Sequence, residues 1–116
     1  MFESEQDRTM ALARTRIDIE RALRDLLARD IGVVEQQKLN IRYAGVNQLF
    51  DILLKRNSEF KYFRESFRYV TQICNAAIHA QAVSEGQASE ALALGAEILT
   101  ALKREGEGLR FRATAD

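Results

Sequence analysis

The chain has 116 residues, of which 47% are hydrophobic and 29% are charged, a size and composition typical of one ordinary globular domain. Its 17 basic and 17 acidic residues give a formal net charge of zero, which argues against a protein that binds nucleic acid through bulk charge. Proline is absent and glycine occurs only 6 times. Because turns in β-rich folds commonly use proline, its absence favours long, uninterrupted helices.

The counts of cysteine, histidine and apolar residues narrow the classes of function. The single cysteine cannot form an intramolecular disulfide, so we expect a cytoplasmic protein or the cytoplasmic part of a larger one. No apolar run approaches the roughly 18 residues of a membrane span, so we expect no membrane contact by this segment. With one histidine, no paired cysteines and no glycine-rich phosphate loop, the sequence argues against metal and nucleotide-loop enzymes, and we expect no cofactor.

The hydrophobic periodicity predicts four helices, of which the first covers residues 5–30. Ser4 is its expected N-cap and Gly32 its expected end. The stretch 33–39 has weak periodicity and is predicted to be a loop. The apolar face of the first helix comprises Leu12, Ile19, Leu23 and Leu26.

The second and third predicted helices cover residues 43–56 and 59–81. A break at Asn57 and Ser58 separates them, and Ser58 is placed to cap the third helix. The apolar face of the second helix comprises Val46, Leu49, Phe50, Leu53 and Leu54. The stripe on the third helix comprises Phe60, Phe63, Phe67, Val70, Cys74 and Ala77.

The fourth predicted helix covers residues 85–104, and Ser84 and Gln87 have the spacing of a capping box at its start. Gly95 lies in the middle of its apolar face. A glycine there costs roughly 1 kcal/mol relative to alanine, so we expect a close contact between helices at this point. The rest of that face comprises Ala88, Ala91, Leu92, Ile98, Leu99 and Leu102.

The domain organisation follows from the end of the fourth helix. Gly106 and Gly108 are predicted to end it, which leaves residues 105–116 as a flexible tail after one helical domain over residues 1–104. Because helices joined by short loops usually pack antiparallel, we predict an all-α, up-and-down four-helix bundle.

The only histidine, His79, lies one helical turn after Asn75 and in line with Gln72 and Arg68. This polar line flanks the apolar stripe, where another helix or another subunit can cover it. One interpretation is a structural pair that bonds a loop and bridges helices. The other is acid–base catalysis by His79, because histidine titrates near neutral pH. Arg68 is about 16 Å away along the helix, too far to act on the same atom within one subunit.

The segment Ile73–Ala80, with the sequence ICNAAIHA, resembles the signature of the HEPN superfamily. These are small helical-bundle domains whose motif is an arginine, a polar residue, three further residues and a histidine. The likeness covers residues 5–104, and within the superfamily the chain looks most like a large bacterial subgroup of unknown function. His79 matches the family histidine and Asn75 the polar position, whereas Cys74 stands where active members have arginine. Cys74 also lies in the apolar stripe, so we expect a buried, unreactive thiol.

This resemblance implies a HEPN-like binding or assembly module without catalysis. Active members are metal-independent ribonucleases that need the arginine at the scissile phosphate, and cysteine supplies no fixed positive charge. The alternative is a metal-independent endoribonuclease of the defence or toxin type, with His79 and Asn75 as catalytic residues in a dimer cleft and Arg68 or Arg64 in contact with phosphate. A third interpretation is a purely structural domain of a larger protein.

The resemblance also implies partners. HEPN domains commonly pair through the motif region, so we expect a homodimer, and members often occur beside other modules, so a fused or partner module is expected too. RNA is the partner of the endoribonuclease alternative. The predicted dimer face lies near a two-fold axis and comprises Asn75, Ala76, His79 and Ala80.

Residues 55–69 contain five basic, two acidic and five aromatic side chains, a mixture found in nucleic-acid platforms. The simpler interpretation is a core stripe with a solvated basic face. In that case Phe60, Phe63 and Phe67 belong to the core, and the solvated face comprises Lys61, Arg64 and Arg68.

Overall fold

The structure is a computed structural model that describes the backbone of residues 4–115 and the side chains of residues 4–108. Over this range it is all-helical, without a strand, which confirms the predicted all-α class. Two 3-10 segments, Ile41–Tyr43 and Ser58–Phe63, interrupt the α-helices. The five α-helices are α1 (Glu5–Asp30), α2 (Val33–Leu39), α3 (Val46–Arg56), α4 (Arg64–Ile78) and α5 (Glu85–Ala115).

The first helix has the predicted bounds and the predicted cap, because the Ser4 hydroxyl accepts a hydrogen bond from the backbone N–H of Asp7 at 3.1 Å. The prediction of a loop over residues 33–39 is wrong, since α2 occupies this stretch. No residue of α2 is buried, and a helix without a face in the core shows no apolar periodicity. Instead, the Gln36 side chain donates to the carbonyl oxygens of Ala28 and Ile31 at 3.1 and 2.6 Å.

The middle of the chain differs from the prediction at three boundaries. The helix α3 begins at Val46, after a 3-10 segment, rather than at residue 43. Residues 58–63 form a 3-10 segment before α4, and Asn57 rather than Ser58 provides the cap, since its side-chain oxygen accepts from the N–H of Glu59 at 3.1 Å. The helix α4 ends at Ile78 rather than at residue 81.

The last helix begins as predicted and continues beyond its predicted end. The backbone N–H of Ser84 donates to the Gln87 side chain at 3.0 Å, and that of Gln87 donates to the Ser84 hydroxyl at 3.1 Å, which forms the capping box. The predicted end at residue 104 is wrong, because α5 runs through Gly106 and Gly108. Neither glycine has the positive φ of a helix C-cap. The flexibility expected for residues 105–116 stays a prediction.

The core forms around α1, which packs against α3, α4 and α5, while α4 also packs against α5. At Gly95 the close helix contact is confirmed, because a Cβ there would lie 2.6 Å from Thr15 Cγ2 and 3.7 Å from a methyl group of Val70. The glycine thus allows α5 to approach α1 and α4. The largest fully buried side chains are Leu12, Ile19, Leu23, Leu27, Leu49, Val70, Cys74, Ile98 and Leu102.

Candidate functional site

The motif segment lies at the C-terminal end of α4, which closes in a Schellman motif. The backbone N–H of Gln81 donates to the carbonyl oxygen of Ala76 at 2.8 Å, and that of Ala80 donates to Ala77 at 3.2 Å. Ala80 has a left-handed φ of 58°, where an L residue with a side chain is strained. His79 is the C-cap residue of this helix. The chain therefore turns away directly after the motif and leaves the last residues of α4 at the surface.

The side chains of Asn75 and His79 lie at this surface. His79 is exposed and Asn75 is half-buried. Their backbones are joined, since the N–H of His79 donates to the carbonyl oxygen of Asn75 at 3.0 Å. Within the described part of the chain, neither side chain makes a hydrogen bond or an ion pair. Their polar atoms are thus accessible to another molecule.

The loop that follows the motif is held by the first helix. The Arg8 guanidinium donates to the carbonyl oxygen of Val83 at 2.7 Å, and the half-buried Val83 packs against the core. This contact ties the segment between α4 and α5 to α1. The sequence pattern offered no signal for it, because the two residues are far apart in the chain and neither belongs to a motif.

Cys74, directly before Asn75 on α4, is fully buried. Burial raises the pKa of its thiol from 9.0 to about 11, although the positive charge of Arg16 acts in the opposite direction. At neutral pH the thiol is therefore neutral and unreactive. The predicted burial of this thiol is confirmed, and position 74 faces the core rather than the surface where His79 lies.

A groove of about 500 Å³ between α3 and α4 brings together three of the predicted site residues, Arg64, Arg68 and Asn75. His79 does not line it. Beneath the groove, Phe50 and Phe67 stack with ring centroids 4.0 Å apart and an interplanar angle of 10°. The groove is lined by Asn47, Phe50, Asp51, Leu54, Arg64, Phe67, Arg68, Thr71, Gln72 and Asn75.

The residues that α3 contributes to this groove were missed by sequence reasoning. Asn47 and Asp51 lie one turn apart on α3 and flank its apolar face at Phe50. This spacing was a signal that one flank of α3 is polar. Which helix faces that flank depends on the 3-10 segment between α3 and α4, and the sequence pattern predicted α-helix there.

A second groove of about 470 Å³ adjoins the first along the 3-10 segment, and Lys55 and Lys61 line it together with Arg64. The interpretation of residues 55–69 as a core stripe with a solvated basic face agrees with the burial pattern. Tyr62 is 85% exposed but lines neither groove. In that stripe Phe60 and Phe67 are buried and Phe63 is half-buried, while the exposed basic residues are Lys61, Arg64 and Arg68.

Elsewhere on the described surface, a further groove is lined by none of the predicted site residues. A groove of about 410 Å³ between α1 and α5 has balanced charge, and its charged lining comprises Asp18, Arg21, Asp25, Arg29, Lys103 and Glu107. Glu90 and Glu97 are both exposed, and Glu90 accepts a hydrogen bond from the Tyr69 hydroxyl at 3.2 Å. Over the part of the chain that the structure describes, no three His, Cys, Asp or Glu side chains are grouped to hold a metal ion.

Comparison with protein families, with curated proteins and with solved structures gives no match to this chain. None of the helices in the described range combines the length and the apolar character that a membrane span requires.

Proposed function

We propose that this chain is a HEPN-like binding and assembly module of the cytoplasm, a four-helix bundle of α1, α3, α4 and α5 with α2 outside it. It pairs with a second copy through the exposed end of α4. The observation on which the proposal rests is the complete burial of Cys74. At this position the family motif requires a guanidinium beside the histidine. A buried neutral thiol cannot stabilise the charge that develops on a phosphate during cleavage.

The surroundings of His79 support a role in binding rather than catalysis. An acid–base histidine normally has a partner that orients it or stabilises its charged form. Among the described residues, the His79 side chain has neither a hydrogen bond nor an ion pair. Arg68, the nearest arginine in the polar line, faces the α3–α4 groove, which His79 does not line.

The end of α4 has features of a contact between copies of the chain. Ala76 and Ala80 are small, so a second helix can approach closely, and Ile78 leaves 42% of its surface exposed beside them. The polar atoms of Asn75 and His79 are available for hydrogen bonds across the contact. In a two-fold arrangement the same patch of both copies forms the contact. A patch of about 800 Å² per copy is ordinary for such a contact.

The test is the molecular mass in solution of the native chain and of the variant Ala76→Lys, measured by sedimentation equilibrium. A lysine near the C-terminal end of a helix interacts favourably with the helix dipole, so this variant keeps the fold while placing a charge in the contact. The matched control is Ala93→Lys, because Ala93 is exposed on α5. We expect the native chain and the control to be dimers and Ala76→Lys to be a monomer with unchanged helical circular dichroism.

A native chain that remains a monomer at high concentration contradicts the proposal. So does an Ala76→Lys variant that is dimeric to the same degree as the control. The first result favours the purely structural interpretation, provided that the variants His79→Ala and Asn75→Ala change only thermal stability.

The endoribonuclease alternative is favoured by one observation, namely that Arg64 and Arg68 line the same groove as Asn75. In this alternative a dimer would have to bring an arginine of one copy to His79 of the other. Its test is cleavage of single-stranded RNA by the purified chain without added metal, with His79→Ala as the inactive control. We expect no cleavage even at high protein concentration, and cleavage that is lost in His79→Ala would establish the alternative instead.

A further inference from the structure

The two grooves beside α4 form one continuous channel. Asp51, Leu54 and Arg64 line both of them. The channel therefore follows α3 on one side, and on the other side it follows the 3-10 segment Ser58–Phe63 and then α4. It extends from the α3 end near Lys55 to Asn75.

The charge of this channel differs from that of the whole chain. Four cationic side chains line it, Lys55, Lys61, Arg64 and Arg68, against the single carboxylate of Asp51. All five are exposed, and in the described part of the chain none of them is in a hydrogen bond or an ion pair through its side chain. The chain as a whole is neutral and the α1–α5 groove is balanced, whereas the lining of this channel carries an excess of positive charge.

The floor of the channel is apolar but offers no free aromatic face. Phe50 and Phe67 are stacked on each other and each is only 3% exposed, and Leu54 is half-buried between the two grooves. Bases of single-stranded nucleic acid bind mainly by stacking on exposed rings. An aliphatic side chain needs only an apolar contact, which the half-buried Leu54 presents.

We propose that the channel between α3 and α4 binds an acidic segment of a partner protein that also contains leucine-like side chains. The carboxylates of the segment pair with the four cations along the rim, and its aliphatic side chains contact the half-buried Leu54. This surface is separate from the self-association contact proposed above, which it meets only at Asn75.

The experiment measures binding of a fluorescent peptide composed of glutamate pairs and single leucines by fluorescence anisotropy. Its uncharged counterpart has glutamine in place of glutamate, and an oligouridylate of equal charge represents nucleic acid. The test variant is the double substitution Arg64→Glu and Arg68→Glu. The matched control is Arg14→Glu with Arg21→Glu, two exposed arginines of α1, which changes the net charge by the same amount.

We expect the native chain and the control to bind the acidic peptide and the test variant to bind it about tenfold more weakly or not at all. Binding should weaken with added salt, and the glutamine peptide should not bind. No binding of the acidic peptide by the native chain, equal weakening in the test variant and the control, or tighter binding of the oligouridylate would each overturn the proposal.

Discussion

Single residues decide the chemistry of the motif, and Cys74 is the clearest case. Its side chain points into the core between helices, where a guanidinium would need a partner for its buried charge. The thiol meets no such demand, because desolvation raises its pKa and keeps it neutral. Cysteine at position 74 is thus well suited to packing in the core.

The raised pKa of Cys74 predicts an alkaline loss of stability. Because the pKa in the folded chain, about 11, lies above the ordinary value of 9.0, the protonated thiol contributes stability below pH 9 that is lost as the pH rises towards 11. We expect the difference in free energy of unfolding between the native chain and Cys74→Ala to narrow by about 2 kcal/mol over this range. Urea unfolding at several pH values measures it, and a constant difference would contradict the assignment.

The backbone at Ala80 predicts a stabilising substitution. A left-handed φ of 58° strains alanine but not glycine. We expect Ala80→Gly to increase the free energy of unfolding by about 0.5 kcal/mol. The gain is small because glycine loses more conformational entropy on folding, which offsets part of the relieved strain. The matched control is Ala82→Gly in the same loop, whose φ is not positive, and it should lower stability. An equal loss in both variants would show that the end of α4 is not strained.

At the scale of elements, the tight contact between α1 and α5 depends on Gly95. An added Cβ would lie 2.6 Å from Thr15 Cγ2, so either the Thr15 side chain or one of the two helices has to shift. We expect Gly95→Ala to lower the free energy of unfolding by about 1 to 2 kcal/mol, because overpacking outweighs the better helix propensity of alanine.

Two further variants isolate this contact. Thr15→Ser removes the methyl group that the added Cβ would contact. The double variant Thr15→Ser, Gly95→Ala should therefore recover most of the stability that Gly95→Ala alone loses. Gly86→Ala is the control for helix propensity, because its nearest atom would be the Ser84 hydroxyl oxygen at 3.9 Å, and it should not destabilise. A Gly95→Ala variant as stable as the native chain would contradict the close approach.

The helices that were predicted are those with a buried face, because a buried face requires apolar residues at helical spacing. The faces of α1, α3, α4 and α5 repeat apolar residues because these residues share one core, and the caps at Ser4 and Ser84 mark helix starts by chemistry alone. The helix α2 has no buried residue and therefore no periodicity. Gly106 and Gly108 suggested a helix end, but glycine permits a left-handed cap without requiring one.

The candidate site could be predicted only along one helix. The alignment of Arg68, Gln72, Asn75 and His79 follows from helical spacing, as does the burial of Cys74 in the apolar stripe. The channel with α3 depends on how the 3-10 segment after Asn57 turns the chain. Such a turn is set by tertiary packing rather than by local propensity. No sequence signal therefore indicated that Asp51 and Arg64 line the same channel.

Across the whole molecule, the two proposed surfaces would bind different partners. The exposed end of α4 is small, polar and close to uncharged, as suits a contact between two copies. The α3–α4 channel concentrates positive charge on an otherwise neutral chain, as suits an acidic partner. A dimer of this kind would present two channels, which raises the apparent affinity for a partner with repeated acidic segments.

Disulfide cross-linking of the variant His79→Cys tests self-association through the end of α4. Near a two-fold axis, equal positions of two copies approach within the roughly 4 to 7 Å between Cα atoms that a disulfide spans. The buried Cys74 does not interfere, and Ala93→Cys on α5 is the control. We predict a covalent dimer on mild oxidation of dilute His79→Cys but not of the control. Equal cross-linking at both positions, or none at His79→Cys, would contradict self-association through the end of α4.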